Sequence, residues 1–175
     1  MANAPDPLLR IPHLFHFTDM VNMPKIKELE GLYSTAKMRE MDQEFCAGGD
    51  QDSLALDVRC GMDRYVHLCW AVDHPMAGRI KQRKADANLF YLKIDRAVLY
   101  TPGVQFATGV VYANGTRIVA LQQALDENLI NFHSLYDWTD WRDPQAQAAR
   151  RTAELCEILV PDYIPLAYIG NLPNG

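Results

Sequence analysis

The sequence feature that most constrains the fold is an apolar strand pattern near the end of the chain that contains one acidic residue. Residues 156–160 read Cys-Glu-Ile-Leu-Val, the β-branched and apolar mixture that is typical of a buried strand. Pro161 then ends the ladder, because proline has no N–H to donate. Glu157 is the exception, since a glutamate is almost never fully buried unless it is paired. Two interpretations of Glu157 remain open: a carboxylate at a strand edge in water or a salt bridge, or a carboxylate that serves a cleft.

Length, charge and cysteine usage indicate one soluble globular domain. A chain of 175 residues buries roughly 70% of the surface that it exposes when unfolded. The net charge of −5 argues against a non-specific nucleic-acid binder, which is normally basic, but it allows a local basic cleft. The cysteines form no C-x-x-C pair and have no metal-ligand spacing with histidine, which favours free thiols in a reducing compartment. Neither a signal-peptide pattern nor a membrane-spanning apolar run occurs, so we predict a cytoplasmic protein with no membrane contact.

The first predicted strand, residues 11–18, carries two polar side chains on one face. His16 and Thr18 are two positions apart, so they project from the same side of an extended chain. A single histidine on a strand is usually a satisfied polar residue. Two polar side chains together on a core strand indicate a ligand, although they do not identify it.

Local patterns elsewhere predict short strands and a few helices. Residues 64–72 give the strongest strand pattern, because they are mostly aromatic and β-branched. Asp19 is placed to cap the first helix and Gly31 to end it. Residues 44–57 read as a long loop, which in a compact domain is functional or mobile. The other predicted strands are residues 32–34, 89–94 and 98–100, and the predicted helices are residues 20–29, 37–41 and 117–129.

An aromatic stretch, residues 131–149, lies between the last predicted helix and the strand that contains Glu157. Its large rings either pin the stretch to the core or form an exposed stacking surface, and both interpretations stay open. The densest basic cluster, residues 78–84, is interpreted as a solvated face. The aromatic side chains of interest and the basic pair that follows them are Tyr136, Trp138, Trp141, Arg150 and Arg151.

The motifs taken in order resemble the DarT-type ADP-ribosyltransferase toxins, which modify DNA bases with NAD and are paired with a macrodomain antitoxin. The resemblance extends from residue 13 to about residue 169. The motifs that carry it are His16-Phe17-Thr18, Asn22-Met23, Gly31-Leu32-Tyr33-Ser34, Tyr65-Val66-His67, His74-Pro75-Met76, Asn114-Gly115, and Arg150-Arg151 leading to Glu157-Ile158-Leu159-Val160-Pro161.

The resemblance implies a fold and a mechanism. The implied fold is α+β, with two packed, mostly antiparallel sheets, a central NAD cleft and peripheral helices, in a single domain over residues 1–175. The chemistry breaks the bond between nicotinamide and ribose through a transition state that resembles an oxocarbenium ion. A carboxylate beside that centre hydrogen-bonds a ribose hydroxyl and offsets positive charge. By resemblance, Glu157 is this catalytic carboxylate.

The resemblance also implies the residues that contact NAD. A functional arginine is expected before the strand at residues 64–72, where the sequence offers Arg39, Arg59 and Arg64; position favours Arg59 as the catalytic arginine. We expect NAD as co-substrate and no metal. The NAD-binding residues that we predict are His16, Thr18, Tyr33, Ser34 and Ser53.

The function that we predict is ADP-ribosylation of a nucleobase in single-stranded DNA by a toxin of a toxin–antitoxin or anti-phage system. Tyr136, Trp138, Trp141, Arg150 and Arg151 are the predicted nucleic-acid contacts. Three alternatives remain: the same chemistry on RNA or on a protein, NAD hydrolysis without an acceptor, and a non-catalytic module that binds an NAD-derived ligand.

Overall fold

The central element of the computed structural model is a six-stranded sheet with the order β4-β1-β3-β7-β5-β6, and a two-stranded sheet pairs β2 with β8. All of these pairings are antiparallel. The structure describes residues 6–46, 51–72, 74–83 and 86–173, with the backbone alone at residues 51–54, 75, 79 and 83. The strands are β1 (Leu14–Asp19), β2 (Gly31–Tyr33), β3 (Tyr65–Cys69), β4 (Leu89–Ile94), β5 (Gln105–Ala107), β6 (Ile118–Ala120), β7 (Glu157–Pro161) and β8 (Tyr163–Pro165).

Short helices surround the sheets, several of them started by side-chain caps. Ser34 accepts a hydrogen bond from the Lys37 backbone N–H at the start of the second helix, and Asp143 caps the last helix at the Gln145 N–H. In the described ranges, no helix is both long and apolar enough to cross a membrane. The helices are α1 (Met23–Glu28), α2 (Thr35–Glu40), α3 (Gln51–Cys60), α4 (Pro75–Arg83), α5 (Leu121–Asp126), α6 (Phe132–Tyr136) and α7 (Pro144–Glu154).

Strand β7 is the buried strand that the sequence predicts, and it ends at Pro161. It pairs with β3 on one side and with β5 on the other. Ile158 and Val160 belong to the main core, whereas Leu159 packs in a second, smaller cluster. Because side chains alternate along a strand, Glu157 lies on the same face as Leu159. The acid is therefore buried on the face that is turned away from the main core.

A gap in the large sheet begins between β1 and β3. The two strands share a single register pair, Phe15 with Cys69, whereas β1 continues along β4 for six pairs. Past Phe15 the strands separate. His16 and Thr18 follow on β1, so the predicted polar pair lies beside this gap.

Gly31 has a different role from the predicted helix stop. Helix α1 has already ended at Glu28, and Gly31 is the first residue of β2. A Cβ atom at this position would lie 2.7 Å from the backbone oxygen of Ile164 on β8. Glycine is needed here because the backbones of β2 and β8 approach so closely.

Three other element predictions are wrong, each because a local pattern admitted two conformations. Residues 98–100 belong to a 3-10 helix, Arg96–Tyr100, which the Asp95 side chain caps at the Ala97 N–H. The predicted helix at residues 117–129 begins instead as β6, which completes the sheet beside β5 before α5 starts. Residues 44–57, which were predicted as a loop, contain most of α3. The aromatic stretch at residues 131–149 contains α6 and most of α7. The mostly antiparallel α+β architecture with peripheral helices is confirmed.

Candidate active site

A cleft with a volume of about 220 Å³ is bordered by residues of β1, β2, β3, β7 and α3. It contains Glu157 together with four of the five predicted NAD contacts: His16, Thr18, Tyr33 and Ser34. The sheet topology explains part of the assembly, since β1, β3 and β7 are neighbouring strands of the six-stranded sheet, and β2 of the small sheet adds further lining residues.

Glu157 is buried and paired on both carboxylate oxygens. Its side chain is 7% exposed, and Oε2 lies 2.9 Å from Nδ1 of His67. The Val111 backbone N–H donates a longer hydrogen bond, 3.4 Å, to Oε1. The acid thus serves a cleft, and it has the partner that a buried carboxylate requires.

His67 faces a hydrogen-bond acceptor on each side of its ring. Nε2 lies 3.2 Å from the carbonyl oxygen of Met62, and Nδ1 faces Glu157. A carbonyl oxygen only accepts, so Nε2 carries a proton. Burial lowers the pKa of His67, but the hydrogen bond and charge of Glu157, with the charge of Asp57, outweigh it and raise the pKa above the usual value. The surroundings of His67 therefore favour the imidazolium form beside Glu157.

His16 is held in one neutral tautomer. Its Nδ1 lies 2.9 Å from the His67 carbonyl oxygen, so Nδ1 is the protonated nitrogen and donates. Burial lowers the pKa of His16 to about 4, and the charge of His67 acts in the same direction. Nε2 is left as a hydrogen-bond acceptor, which suits a polar group of a ligand in the cleft.

Asn22 connects Thr18 to the segment that follows α2. Its Nδ2 donates to Thr18 Oγ1 at 3.0 Å and to the Cys46 carbonyl oxygen at 2.8 Å. The Cys46 backbone N–H donates back to Asn22 Oδ1 at 2.8 Å. The sequence indicated Asn22 through the family motif, but its role as a clamp depends on a contact 24 residues away.

Tyr33 and Ser34 form the wall opposite Glu157. The ring of Tyr33 stacks on Tyr163 of β8, with 4.9 Å between the ring centroids. Ser34 is 1% exposed, and its hydroxyl is the cap of α2. Tyr33 therefore presents an aromatic surface to the cleft, and Ser34 fixes the turn beside it.

Besides His67, three cleft residues were missed by the sequence predictions: Asp57, His74 and Tyr112. Asp57 on α3 accepts a hydrogen bond from the Tyr112 hydroxyl, and burial raises the pKa of Asp57 to about 6. His74 stacks near Phe17, with 6.3 Å between ring centroids, and burial lowers the pKa of His74. His74 was quoted only as part of a motif. Asp57 and Tyr112 are 55 residues apart and carried no sequence signal.

The structure places the predicted functional arginine outside the cleft. Arg59 is exposed and does not line the cleft. Helix geometry explains this, because residues two apart on a helix point in widely different directions, and Asp57 is the residue that faces the cleft. Arg39 is paired with Asp63 at 2.7 Å, and Arg64 is exposed. Ser53 lies in α3, but its side chain is outside the described part of the chain.

The predicted nucleic-acid contacts lie outside the cleft. Trp138 is 84% exposed and Trp141 is 53% exposed, so neither ring pins its segment to the core. The Arg150 guanidinium lies over the Trp141 ring at 4.9 Å, and Arg151 is exposed. Tyr136 differs from the two tryptophans: its ring packs against the main core, and burial raises the pKa of its hydroxyl. Of the basic cluster at residues 78–84, the side chains of Arg79, Arg83 and Lys84 are outside the described residues.

Comparison with known proteins gives one family and a set of similar structures. The family described as ssDNA thymidine ADP-ribosyltransferase, DarT, matches residues 15–172. The fold is similar to Thermosipho africanus DarTG in complex with ADP-ribose, with a TM-score of 0.70 and 16% identity, over 91% of this chain and 43% of that one. It is also similar to Thermus sp. 2.9 DarT in complex with ADP-ribosylated ssDNA (TM-score 0.66) and with NAD+ (0.61), each at 14% identity over 91% of this chain and 79% of that one. No curated protein sequence matches.

Proposed function

This chain belongs to the DarT family of ssDNA thymidine ADP-ribosyltransferases, and we propose from that membership and the cleft that it transfers ADP-ribose from NAD to a thymine base in single-stranded DNA. The observation that carries the proposal is Glu157, a buried carboxylate in a cleft that also contains His16, Thr18 and an exposed face of Tyr33. The chain is shorter than the Thermosipho protein, of which it spans 43%. Activity, substrate and partners of this chain are therefore proposed from its own residues.

The proposed reaction exchanges one bond at the anomeric carbon of the NAD ribose. The bond between C1′ and the nicotinamide nitrogen breaks, and nicotinamide leaves with the electron pair. Glu157 accepts a hydrogen bond from the adjacent ribose hydroxyl, and its charge offsets the positive charge that develops on the ribose. The acceptor base then bonds to C1′ and gives up its proton to a basic group in the cleft.

Detection of the product tests this proposal directly. The protein is incubated with NAD and separately with single-stranded DNA, RNA and protein, and each acceptor is examined by mass spectrometry. We expect a mass increase of one ADP-ribose on thymidine-containing DNA. Modification of RNA or protein alone, or release of nicotinamide without any modified acceptor, would replace this function with the corresponding alternative.

A role for His16 in binding NAD follows from its fixed neutral tautomer. We expect His16→Ala to weaken NAD binding about five- to tenfold by calorimetry, which is the usual size for the loss of one hydrogen bond. His16→Asn is the matched control, because its amide can still donate to the His67 carbonyl. Unchanged affinity in His16→Ala, combined with a lower melting temperature, would assign His16 a structural role instead.

We also propose that the exposed surface formed by Trp138, Trp141, Arg150 and Arg151 binds the DNA strand. Flat rings stack on unpaired bases, at roughly 1–3 kcal/mol per base, and arginines neutralise phosphates. The exposure of both tryptophans and the guanidinium over the Trp141 ring support this. The surface is basic only locally, since the chain as a whole is acidic.

Substitution of Trp138 tests the DNA-binding surface. We expect Trp138→Ala to reduce transfer to single-stranded DNA several-fold and to leave NAD hydrolysis and the melting temperature unchanged. Tyr100→Ala, which removes another exposed aromatic ring outside the cleft, is the control. Equal effects of the two substitutions on transfer would contradict a specific role for Trp138.

We propose in addition that the protein acts as a toxin whose mark is reversed by a macrodomain antitoxin. One of the similar structures is a DarTG protein in complex with ADP-ribose. Growth arrest on expression, relieved by co-expression of an ADP-ribose-removing macrodomain, is the expected result. Single-domain organisation over residues 1–175 and a cytoplasmic location stay predictions.

A further inference from the structure

The two carboxylate oxygens of Glu157 accept hydrogen bonds of different length. Oε2 is held by the His67 ring at 2.9 Å, whereas Oε1 has the longer contact, 3.4 Å, from the Val111 N–H. The shorter, charge-assisted hydrogen bond restrains the carboxylate more strongly than the longer one. Oε1 is therefore the less strongly held oxygen and the better placed of the two to accept a hydrogen bond from a ligand.

We propose that His67 is a positioning residue that grips Glu157 by Oε2 and presents Oε1 to the ribose hydroxyl of NAD. This inference rests on the proposed function, because it assigns the oxygen that acts in that reaction. His67 acts through Glu157 and is not itself a group that contacts the reacting atoms.

The grip depends on the protonation of His67. The Met62 carbonyl and Oε2 both accept, so only the doubly protonated ring donates to both of them. Once one proton is lost, a single N–H faces two acceptors, and either the hydrogen bond to Oε2 or the hydrogen bond that fixes the ring at Met62 is lost. Loss of one proton thus weakens the hold of His67 on the carboxylate.

The charged and titratable groups around His67 determine whether its protonated or its neutral form is favoured. Glu157 on β7 and Asp57 on α3 favour the imidazolium. His16 on β1 and His74 also face the cleft, and the positive charge of His67 lowers the pKa of each of them. The same charge therefore favours the neutral forms of His16 and His74, while Glu157 and Asp57 favour the protonated form of His67.

The sign of the pH dependence follows from the raised pKa of His67. His67 is protonated below the usual histidine value of about 6.5, and the grip is lost as the pH rises through the higher pKa of the folded state. We expect the turnover number of the wild-type protein to fall on the alkaline side for this reason. Asp57, with a pKa of about 6, titrates on the acid side and does not produce this decline.

Two substitutions separate positioning from a structural role. His67→Asn keeps an N–H donor where Nδ1 was and removes the titrating proton, so we expect most of the rate to survive and the alkaline decline to disappear. His67→Leu removes the donor, so we expect kcat to fall roughly 10- to 100-fold, the scale of misplacing a catalytic group, with the KM for NAD changed little. The inference would be overturned if kcat of His67→Asn fell at alkaline pH in the same way as kcat of the wild type. A His67→Leu variant with wild-type kcat would overturn it as well.

A second measurement keeps the inference testable if a variant does not fold. The pKa of His67 is measured by NMR in the wild type and in Glu157→Gln. A raised wild-type value that drops in Glu157→Gln supports the pair, and a wild-type value at or below about 6.5 overturns it. Failure of the proposed function has a different signature: wild-type protein that modifies no DNA. In that case NAD hydrolysis supplies the kcat for the same His67 comparison.

Discussion

We expect Glu157→Gln to lower the rate of ADP-ribose transfer by roughly 10²–10⁴, because it removes the charge that offsets the developing oxocarbenium ion. Glutamine has nearly the same size as glutamate, and its amide oxygen can still contact His67, so we expect the fold and the cleft to be retained. We expect NAD binding to survive as well, because His16, Thr18 and Tyr33 are also proposed to contact NAD. The measurement is single-turnover transfer to labelled single-stranded DNA, with NAD affinity measured in parallel.

Glu127→Gln is the matched control for this result. Glu127 follows helix α5, and its carboxylate pairs with Arg117 at 3.0 Å outside the cleft. We expect its transfer rate to stay within about twofold of the wild type, since it is a partly exposed ion pair of small net effect. Transfer by Glu157→Gln at the wild-type rate would remove Glu157 from the mechanism.

Phe106→Ala has the largest expected effect on stability. Phe106 lies on β5 opposite Ile158 of β7, its side chain is fully buried, and its ring meets the edge of Trp70 with 6.3 Å between centroids. Truncation of a buried phenylalanine costs about 3–5 kcal/mol, because the lost burial is combined with the cavity that remains. At about 2–4 °C per kcal/mol for a domain of this size, the melting temperature should fall by roughly 6–20 °C.

Urea unfolding followed by fluorescence measures the expected loss, with Leu9→Ala as the comparison. Leu9 is 55% exposed, so we expect a change within about 0.5 kcal/mol for its truncation. A destabilisation of Phe106→Ala no larger than that of Leu9→Ala would mean that β5 is not part of the core. The variant also has a functional readout, since β5 supports β7 and hence Glu157.

The pattern of apolar residues predicted the secondary structure best where burial alone dictates the conformation. The strand at residues 89–94 coincides with β4, and the buried strand around Glu157 coincides closely with β7, because their apolar side chains have no other way to leave water. Prediction was wrong at residues 98–100 and 117–120, where the same apolar side chains fit a helix or a strand. At Ile118–Ala120 the neighbouring strand β5 decides, since its backbone groups require a partner.

The ordered motifs predicted the family, and the match over residues 15–172 confirms it. The motifs at residues 16–18, 31–33, 65–67 and 157–161 lie on strands, so their order and spacing follow from the sheets. Arg59 shows the limit of position alone: its sequence neighbourhood suited a catalytic arginine, but the turn of α3 directs Asp57 to the cleft and Arg59 to solvent.

By itself, the sequence determined that an acid occupies an apolar strand and that this acid needs a partner if it is buried, because an unpaired buried carboxylate is too costly. It also determined that His16 and Thr18 share a face, since alternation along a strand is a local property. The tertiary structure alone decided that Glu157 is buried with His67 as its partner, that Asp57 lines the same cleft, and that His16 is tied to the His67 carbonyl. The two hydrogen bonds of His67 with Glu157 and His16 link residues 90 and 51 positions apart, and no local pattern encodes a distance of that kind.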